Sequence, residues 1–119
     1  MRSLIFCLFV GVVLLGTTVP AEAGASKGSI KRVHTVQGFH NITYKVSFKP
    51  GKPAVVLVQG DGDTALSLII LDPQGKRVTS DSKNGDKPSV RWTPTTDEPY
   101  QIKIYNRGGV PNRFLLRTN

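Results

Sequence analysis

Three aspartates frame the stretch GDGDTALSLIILDPQG at residues 60–75: Asp61 and Asp63 at its start, Asp72 near its end. Carboxylates two residues apart on a tight loop are the raw material of a calcium site, which takes about six to eight oxygens, often from alternate positions. The next alternate position is Ala65, which has no side-chain oxygen, and Leu66 stands where an EF-hand needs its glycine. Leu66, Leu68, Ile69, Ile70 and Leu71 fill the interval before Asp72. That interval reads as a strand, so the stretch is not an EF-hand. A calcium site remains open if Asp61 and Asp63 are joined by carbonyls or carboxylates of neighbouring loops, such as Asp81 or Asp86. The competing reading is turn chemistry, in which the carboxylates accept hydrogen bonds from nearby backbone amides.

Other chemistry is sparse. His34 and His40 are the only histidines, and neither sits in an HExxH or Gly-x-Ser-x-Gly setting. Two histidines six residues apart do not make a zinc site without two further ligands. His34 reads as a strand-surface residue and His40 as a turn residue. No nucleophile–base pair is assembled, so no enzyme is expected. Cys7 is the only cysteine. It lies in a leader, so thiol catalysis, cysteine metal sites and disulfides are excluded from the rest. Asn41-Ile42-Thr43 fits the glycosylation acceptor pattern, a frequent chance match.

Charge is the stronger signal. Sixteen Lys/Arg face eight Asp/Glu, a formal net charge of +8. Such an excess favours polyanions or acidic surfaces as partners; alternatively it serves only solubility.

The elements that must carry these residues are strands. The run 42–48 alternates, with Ile42, Tyr44, Val46 and Phe48 on one face and Lys45 on the other. Runs 54–58 and 65–71 are more apolar, and the second reads as central in its sheet. Asp72-Pro73-Gln74-Gly75 has the composition of a type I turn. Residues 76–80 read as a polar edge strand. In 89–93, Val90 and Trp92 share a parity, which places Trp92 in the core. In 100–106, Tyr100, Ile102 and Ile104 point in; in 113–118, Phe114 and Leu116 do. With a weaker strand at 33–36 the count is about eight, the pattern of an all-β, single-domain β-sandwich, jelly-roll-like or immunoglobulin-like.

Parity then places Lys45, Arg91, Lys103, Tyr105, Arg113 and Arg117 outward. Lys103, Tyr105 and Arg107 form a cationic–aromatic–cationic row. Consecutive strands are usually neighbours, so 100–106 and 113–118 are expected side by side, with one shared basic patch. Such a patch suits an anionic polysaccharide, a nucleic acid or an acidic protein. The alternative is a solvated face whose lysines discourage aggregation.

Residues 1–23 read as a secretory signal peptide: Arg2, an apolar run from Leu4 to Leu15, then Ala21-Glu22-Ala23 before an expected cleavage at Gly24. The run is short for a membrane anchor, and no lipidation site lies near the cleavage point. Arg2 and Glu22 leave together, so the exported part keeps its +8. Residues 24–30, GASKGSI, read as a flexible lead-in, and 31–119 as the sandwich. No membrane span is expected after cleavage, and the destination is secreted or periplasmic.

The run from Tyr44 through FKPGKPAVVLV, GDGDTALSLIILDPQGK, SVRWTP, YQIKIYN and FLL resembles the bacterial pre-peptidase C-terminal domain family. The resemblance covers roughly 44–119, and its most specific piece is LSLIILDPQG. It implies a β-sandwich of the kind appended to secreted peptidases, related to the collagen-binding modules of bacterial collagenases, some of which bind calcium. Ala65 and Ser67 stand where that family often has the aspartates of Asp-Leu-Asp-Leu, which removes carboxylates such a calcium site would use. The chain has no room for a peptidase, so the resemblance implies a freestanding module.

The expectation is an exported, non-catalytic binding or accessory module that engages a polymer or exported protein through a basic face, without a cofactor. One alternative is a calcium-stabilised module with its site at Asp61 and Asp63. Another is a structural or chaperone-like partner of an exported protein.

Overall fold

A computed structural model describes residues 24–119. The expected signal peptide, 1–23, lies outside the described residues. The alternating runs become eight strands: β1 (Lys31–Val36), β2 (Asn41–Val46), β3 (Ala54–Gln59), β4 (Leu66–Leu71), β5 (Arg77–Asp81), β6 (Ser89–Trp92), β7 (Tyr100–Asn106) and β8 (Asn112–Thr118). They form two four-stranded antiparallel sheets, ordered β1-β8-β3-β6 and β2-β7-β4-β5. Among the described residues no helix is long and apolar enough to cross a membrane.

The pairing is nested. β1 pairs with β8, β2 with β7, β3 with β6 and β4 with β5. The chain is thus a long hairpin with its tip at Asp72–Gly75, rolled so that successive pairs lie in alternate sheets. Contacts β3–β8 and β4–β7 complete the sheets. This is the jelly-roll form of the sandwich, which resolves the choice between jelly-roll-like and immunoglobulin-like in favour of the first. At the tip, Asp72 Oδ1 accepts the N–H groups of Gln74 (2.9 Å) and Lys76 (2.8 Å), and Gly75 takes φ 87°. β4 is interior to its sheet, and β5 is an edge strand, as their compositions predict.

Rolling also separates β7 from β8. The two were expected as neighbours but lie in different sheets. Sequence adjacency favours pairing only when the connection is a hairpin; here 107–111 crosses from one sheet to the other.

The core is built from the parity expected of each strand. Phe48, Leu66, Leu68, Ile70, Ile102 and Leu116 are fully buried between the sheets. Each contributes about 1.5–3 kcal/mol by leaving water. Trp92 is buried, with its ring edge-on to Phe48 at 4.9 Å and tilted against Tyr100 at 5.7 Å. Its Nε1 has no hydrogen-bond acceptor.

Two regions depart from expectation. Residues 24–26, read as part of a flexible lead-in, are pinned. Ala25 is buried and bridges to Phe48, its N–H donates to the Asn119 carbonyl (3.0 Å), and Ser26 N–H donates to the Ser47 carbonyl (2.9 Å). Small residues permit this close approach: a Cβ on Gly24 would collide with Asn119. In β1, by contrast, only Val36 is buried, and both Arg32 and His34 are exposed although they pair with the inward residues Leu116 and Phe114. The β1 end of the first sheet overhangs the second.

Candidate functional site

The seven residues of the expected basic patch fall into three groups. On β8, Arg113, Leu115 and Arg117 alternate with the buried Phe114 and Leu116 and face outward. Across the β1–β8 pair, Lys31 stands beside Arg117, Val33 beside Leu115 and Thr35 beside Arg113. On the other side, Leu57 stands beside Arg117 and Gln59 beside Leu115. Arg91 joins them from β6, opposite Val55. The outward strand positions of this sheet thus carry Lys31, Arg91, Arg113 and Arg117, and no carboxylate. Between the cations lie Val33 (52 % exposed), Leu57 (41 % exposed) and the half-buried Leu115.

Lys45, Lys103 and Tyr105 face outward from the second sheet, on the opposite side of the sandwich. There Thr43, Lys103 and Ile69 form one cross-strand row, and Asn41, Tyr105 and Ser67 another. Arg107 belongs to neither face. It follows β7 in the crossover, where its N–H donates to the Ala65 carbonyl at 2.9 Å. The single patch is therefore divided, because the β7 and β8 faces it joined look in opposite directions.

The acidic corner is organised by backbone hydrogen bonds. Asp61 Oδ1 accepts the Asp63 N–H (3.0 Å), and Oδ2 accepts the Arg113 N–H (2.9 Å). These bonds, that from Arg113 foremost, lower the Asp61 pKa. Asp86 reaches the same loop: its carbonyl accepts the Gly60 N–H (2.8 Å), and its carboxylate accepts the Gly62 N–H. A Cβ on Gly60 would lie 2.6 Å from Asp86 Oδ2, so glycine is needed for this approach. Asp63 is exposed. Asp81 ends β5 and accepts from the N–H groups of Lys83 and Ser89 (both 3.0 Å) and from Asn84 Nδ2 (2.7 Å). Burial works to raise its pKa, but these hydrogen bonds and the Lys83 charge together lower it. Among the described residues no three His, Cys, Asp or Glu side chains gather as metal ligands.

Two buried amides escaped the sequence reading. Asn106 and Asn112 are both fully buried. Asn106 Nδ2 donates to the carbonyls of Val36 (3.1 Å) and Val110 (2.7 Å), and its Oδ1 accepts the Gly108 N–H (3.0 Å). Asn112 Oδ1 accepts the Asp61 N–H (3.0 Å), while Nδ2 donates to the Thr64 carbonyl (3.0 Å) and Oγ1 (3.1 Å). Parity would have found them: Asn106 continues Tyr100, Ile102 and Ile104, and Asn112 precedes Phe114 and Leu116 on the same face. Together they fasten the loops at one end of the sandwich.

The histidines do not meet as a pair of ligands. His34 Nδ1 donates to the Thr35 carbonyl (3.0 Å), and His40 Nδ1 donates to the Gly38 carbonyl (2.7 Å). Tyr44 is partly buried against the core; burial raises its pKa, and the charge of Arg32 partly offsets the rise.

No family model matches the chain. No curated protein sequence matches it either. Among solved structures it is similar to PliG of Aeromonas hydrophila, a periplasmic lysozyme inhibitor of g-type lysozyme. The TM-score is 0.59 at 16 % identity, over 76 % of this chain and 84 % of that one. A de novo designed double-stranded β-helix matches with a TM-score of 0.48 at 23 % identity, over 76 % of this chain and 99 % of the design. The likeness to PliG is one of fold.

Proposed function

We propose that the chain is an exported, non-catalytic binding module, a relative of the pre-peptidase C-terminal domain, that engages an acidic protein or anionic polymer through the outer face of the β1-β8-β3-β6 sheet. The observation that carries this reading is the sign of that face. Four cations occupy its outward strand positions, none of those positions carries a carboxylate, Asp61 approaches the face at its Arg113 end, and exposed aliphatic side chains lie between. Long-range attraction from the cations steers an acidic partner, and the aliphatic strip supplies area that leaves water on docking. Self-association through this face is disfavoured, because two copies would oppose like charges. An inhibitor of similar fold, PliG, supports a role in binding rather than turnover.

Retention on a heparin column tests the reading. The protein should bind at low salt and elute as salt rises. Arg113→Glu with Arg117→Glu should abolish retention with an unchanged melting temperature. Flow-through of the wild type at low salt would sink the proposal.

A further inference from the structure

The connection between β1 and β2 contains a backbone anomaly that neither sheet requires. Gln37-Gly38-Phe39-His40 is a four-residue turn closed by the His40 N–H on the Gln37 carbonyl at 3.1 Å. Phe39, in its third position, has φ 59° and is the one non-glycine residue with positive φ among those described. That left-handed region suits Gly or Asn, and a bulky residue there is an outlier. The turn does contain a glycine, but at its second position, where a Cβ would collide with the Gly109 backbone. The aromatic residue is left to adopt the strained conformation.

Burial does not offset that strain. Phe39 is 64 % exposed, and Val110, in the facing crossover, is 50 % exposed. The ring rests on Gly109, where a built Cβ would lie 3.2 Å from Phe39 Cε2. The turn is nonetheless rigid. Phe39 N–H donates to the Gly108 carbonyl (2.9 Å), and the buried Asn106 amide ties Val36, Gly108 and Val110 together.

We infer that Phe39 is an anchor presented to an apolar pocket of a partner protein, with the exposed Val110 following the Gly109 it rests on and Arg107 meeting carboxylates on the pocket rim. Strained conformers persist where the surroundings over-determine them, and they cluster at ligand clamps. A fixed pocket rewards a ring held in one place, because the ordering cost is met before binding. A fluid bilayer rewards it far less, since any conformer can insert. Desolvated aromatic anchors of this kind dominate protein interfaces. Charge orients the partner: the exposed Arg107 directly precedes the Gly108–Gly109 pair on which the Phe39 turn rests, so an acidic pocket rim meets it there. The inference is independent of the cationic sheet face.

The test places a photoreactive phenylalanine analogue at position 39 of the exported protein in the cells that make it, with Val78 of edge strand β5 as an exposed control. The expected result is a discrete protein adduct at 39 that is absent at 78. The purified adduct partner should then bind Phe39→Asn at least about tenfold more weakly than wild type. The melting temperature of Phe39→Asn should equal or exceed that of wild type, because Asn tolerates the left-handed conformation. A fall in melting temperature would make the ring structural and overturn the inference. So would lipid adducts alone, adducts no different from the Val78 control, or an unchanged affinity.

Discussion

Asp61 holds Arg113 by its backbone: the carboxylate Oδ2 accepts the Arg113 N–H at 2.9 Å, while the other oxygen accepts the Asp63 N–H. The acid thus fixes the β3–β4 loop against the start of β8. It sets the main chain beneath a cationic side chain and leaves the guanidinium outside this contact. The motif that most invites a metal reading is here a clamp between a turn and a strand.

Calcium should therefore have little to gain. Both Asp61 oxygens already serve backbone donors, and Asp86 serves Gly62. Saturating binding at a hundred times the dissociation constant would add about 2.7 kcal/mol. In a domain this size that is a rise of roughly 10 °C or more. Melting residues 24–119, which contain both sheets, in EDTA and in millimolar calcium should give coincident midpoints. A rise of that order would restore the calcium-stabilised alternative at Asp61 and Asp63.

Acid should destabilise the fold. The Asp61 and Asp81 pKa values are lowered in the folded state. Groups lowered in this way contribute stability that is present above their unfolded pKa, about 3.9, and is lost as pH falls through the folded value. The melting temperature should hold from pH 7 to about 5 and decline below about 4. Asp61→Asn with Asp81→Asn should melt lower at pH 7 and show a shallower acid decline. An equally steep decline in the double variant would place the acid sensitivity elsewhere.

The buried amide of Asn106 should matter more than any surface charge. Its removal leaves the Val36 and Val110 carbonyls and the Gly108 N–H without their partner. Each buried group so orphaned costs about 1–3 kcal/mol, less where water reaches it. Asn106→Ala should lower stability by about 2–4 kcal/mol in urea titration. A loss below about 0.5 kcal/mol would mean that the loops re-pair through water.

These effects divide what could be read from the chain from what could not. Half-buried strands declare inside and outside through period two, so Trp92, Phe114 and Ile104 were placed correctly from parity alone. Parity is silent about which sheet a strand joins. That choice rests on whether the connection closes as a hairpin, and 107–111 crosses over instead, so the β7 and β8 cations were wrongly combined. β1 was faint because its core-side residues Arg32 and His34 remain exposed. Parity placed Asn106 and Asn112 inward as well, but an amide at such a position does not declare its role in the sequence, because the loop groups it bonds are known only from the fold. Phe39 gave no signal, since positive φ is not written in a side chain.

Trp92 offers a test of the core itself. Its Nε1 is buried without an acceptor, and an orphaned donor costs about 1–3 kcal/mol. Trp92→Phe removes that cost but loses ring volume, so the two effects should nearly cancel, to within about 1 kcal/mol. Trp92→Ala removes the donor as well but empties far more volume, and should cost about 3–5 kcal/mol. A loss in Trp92→Phe well above about 1 kcal/mol, read by denaturant unfolding, would mean that the indole N–H is satisfied after all.

The two outer faces can be separated by salt. Retention on a polyanion falls with ionic strength roughly in proportion to the number of cations engaged, because each releases condensed counterions. Arg113→Glu with Arg117→Glu alters the face whose outward strand positions carry Lys31, Arg91, Arg113 and Arg117; Lys45→Glu with Lys103→Glu alters the opposite face by the same net charge. A general effect of the +8 charge predicts equal losses of retention and of salt slope in the two variants. A dedicated binding face predicts that the arginine pair alone collapses both. The lysine pair should then keep a slope close to wild type, since Lys45 and Lys103 look away from the ligand. A collapse in the lysine variant and not the arginine variant would move the binding face to β2 and β7, beside Tyr105. The aliphatic strip of Val33, Leu57 and Leu115 would then be left as ordinary exposed surface.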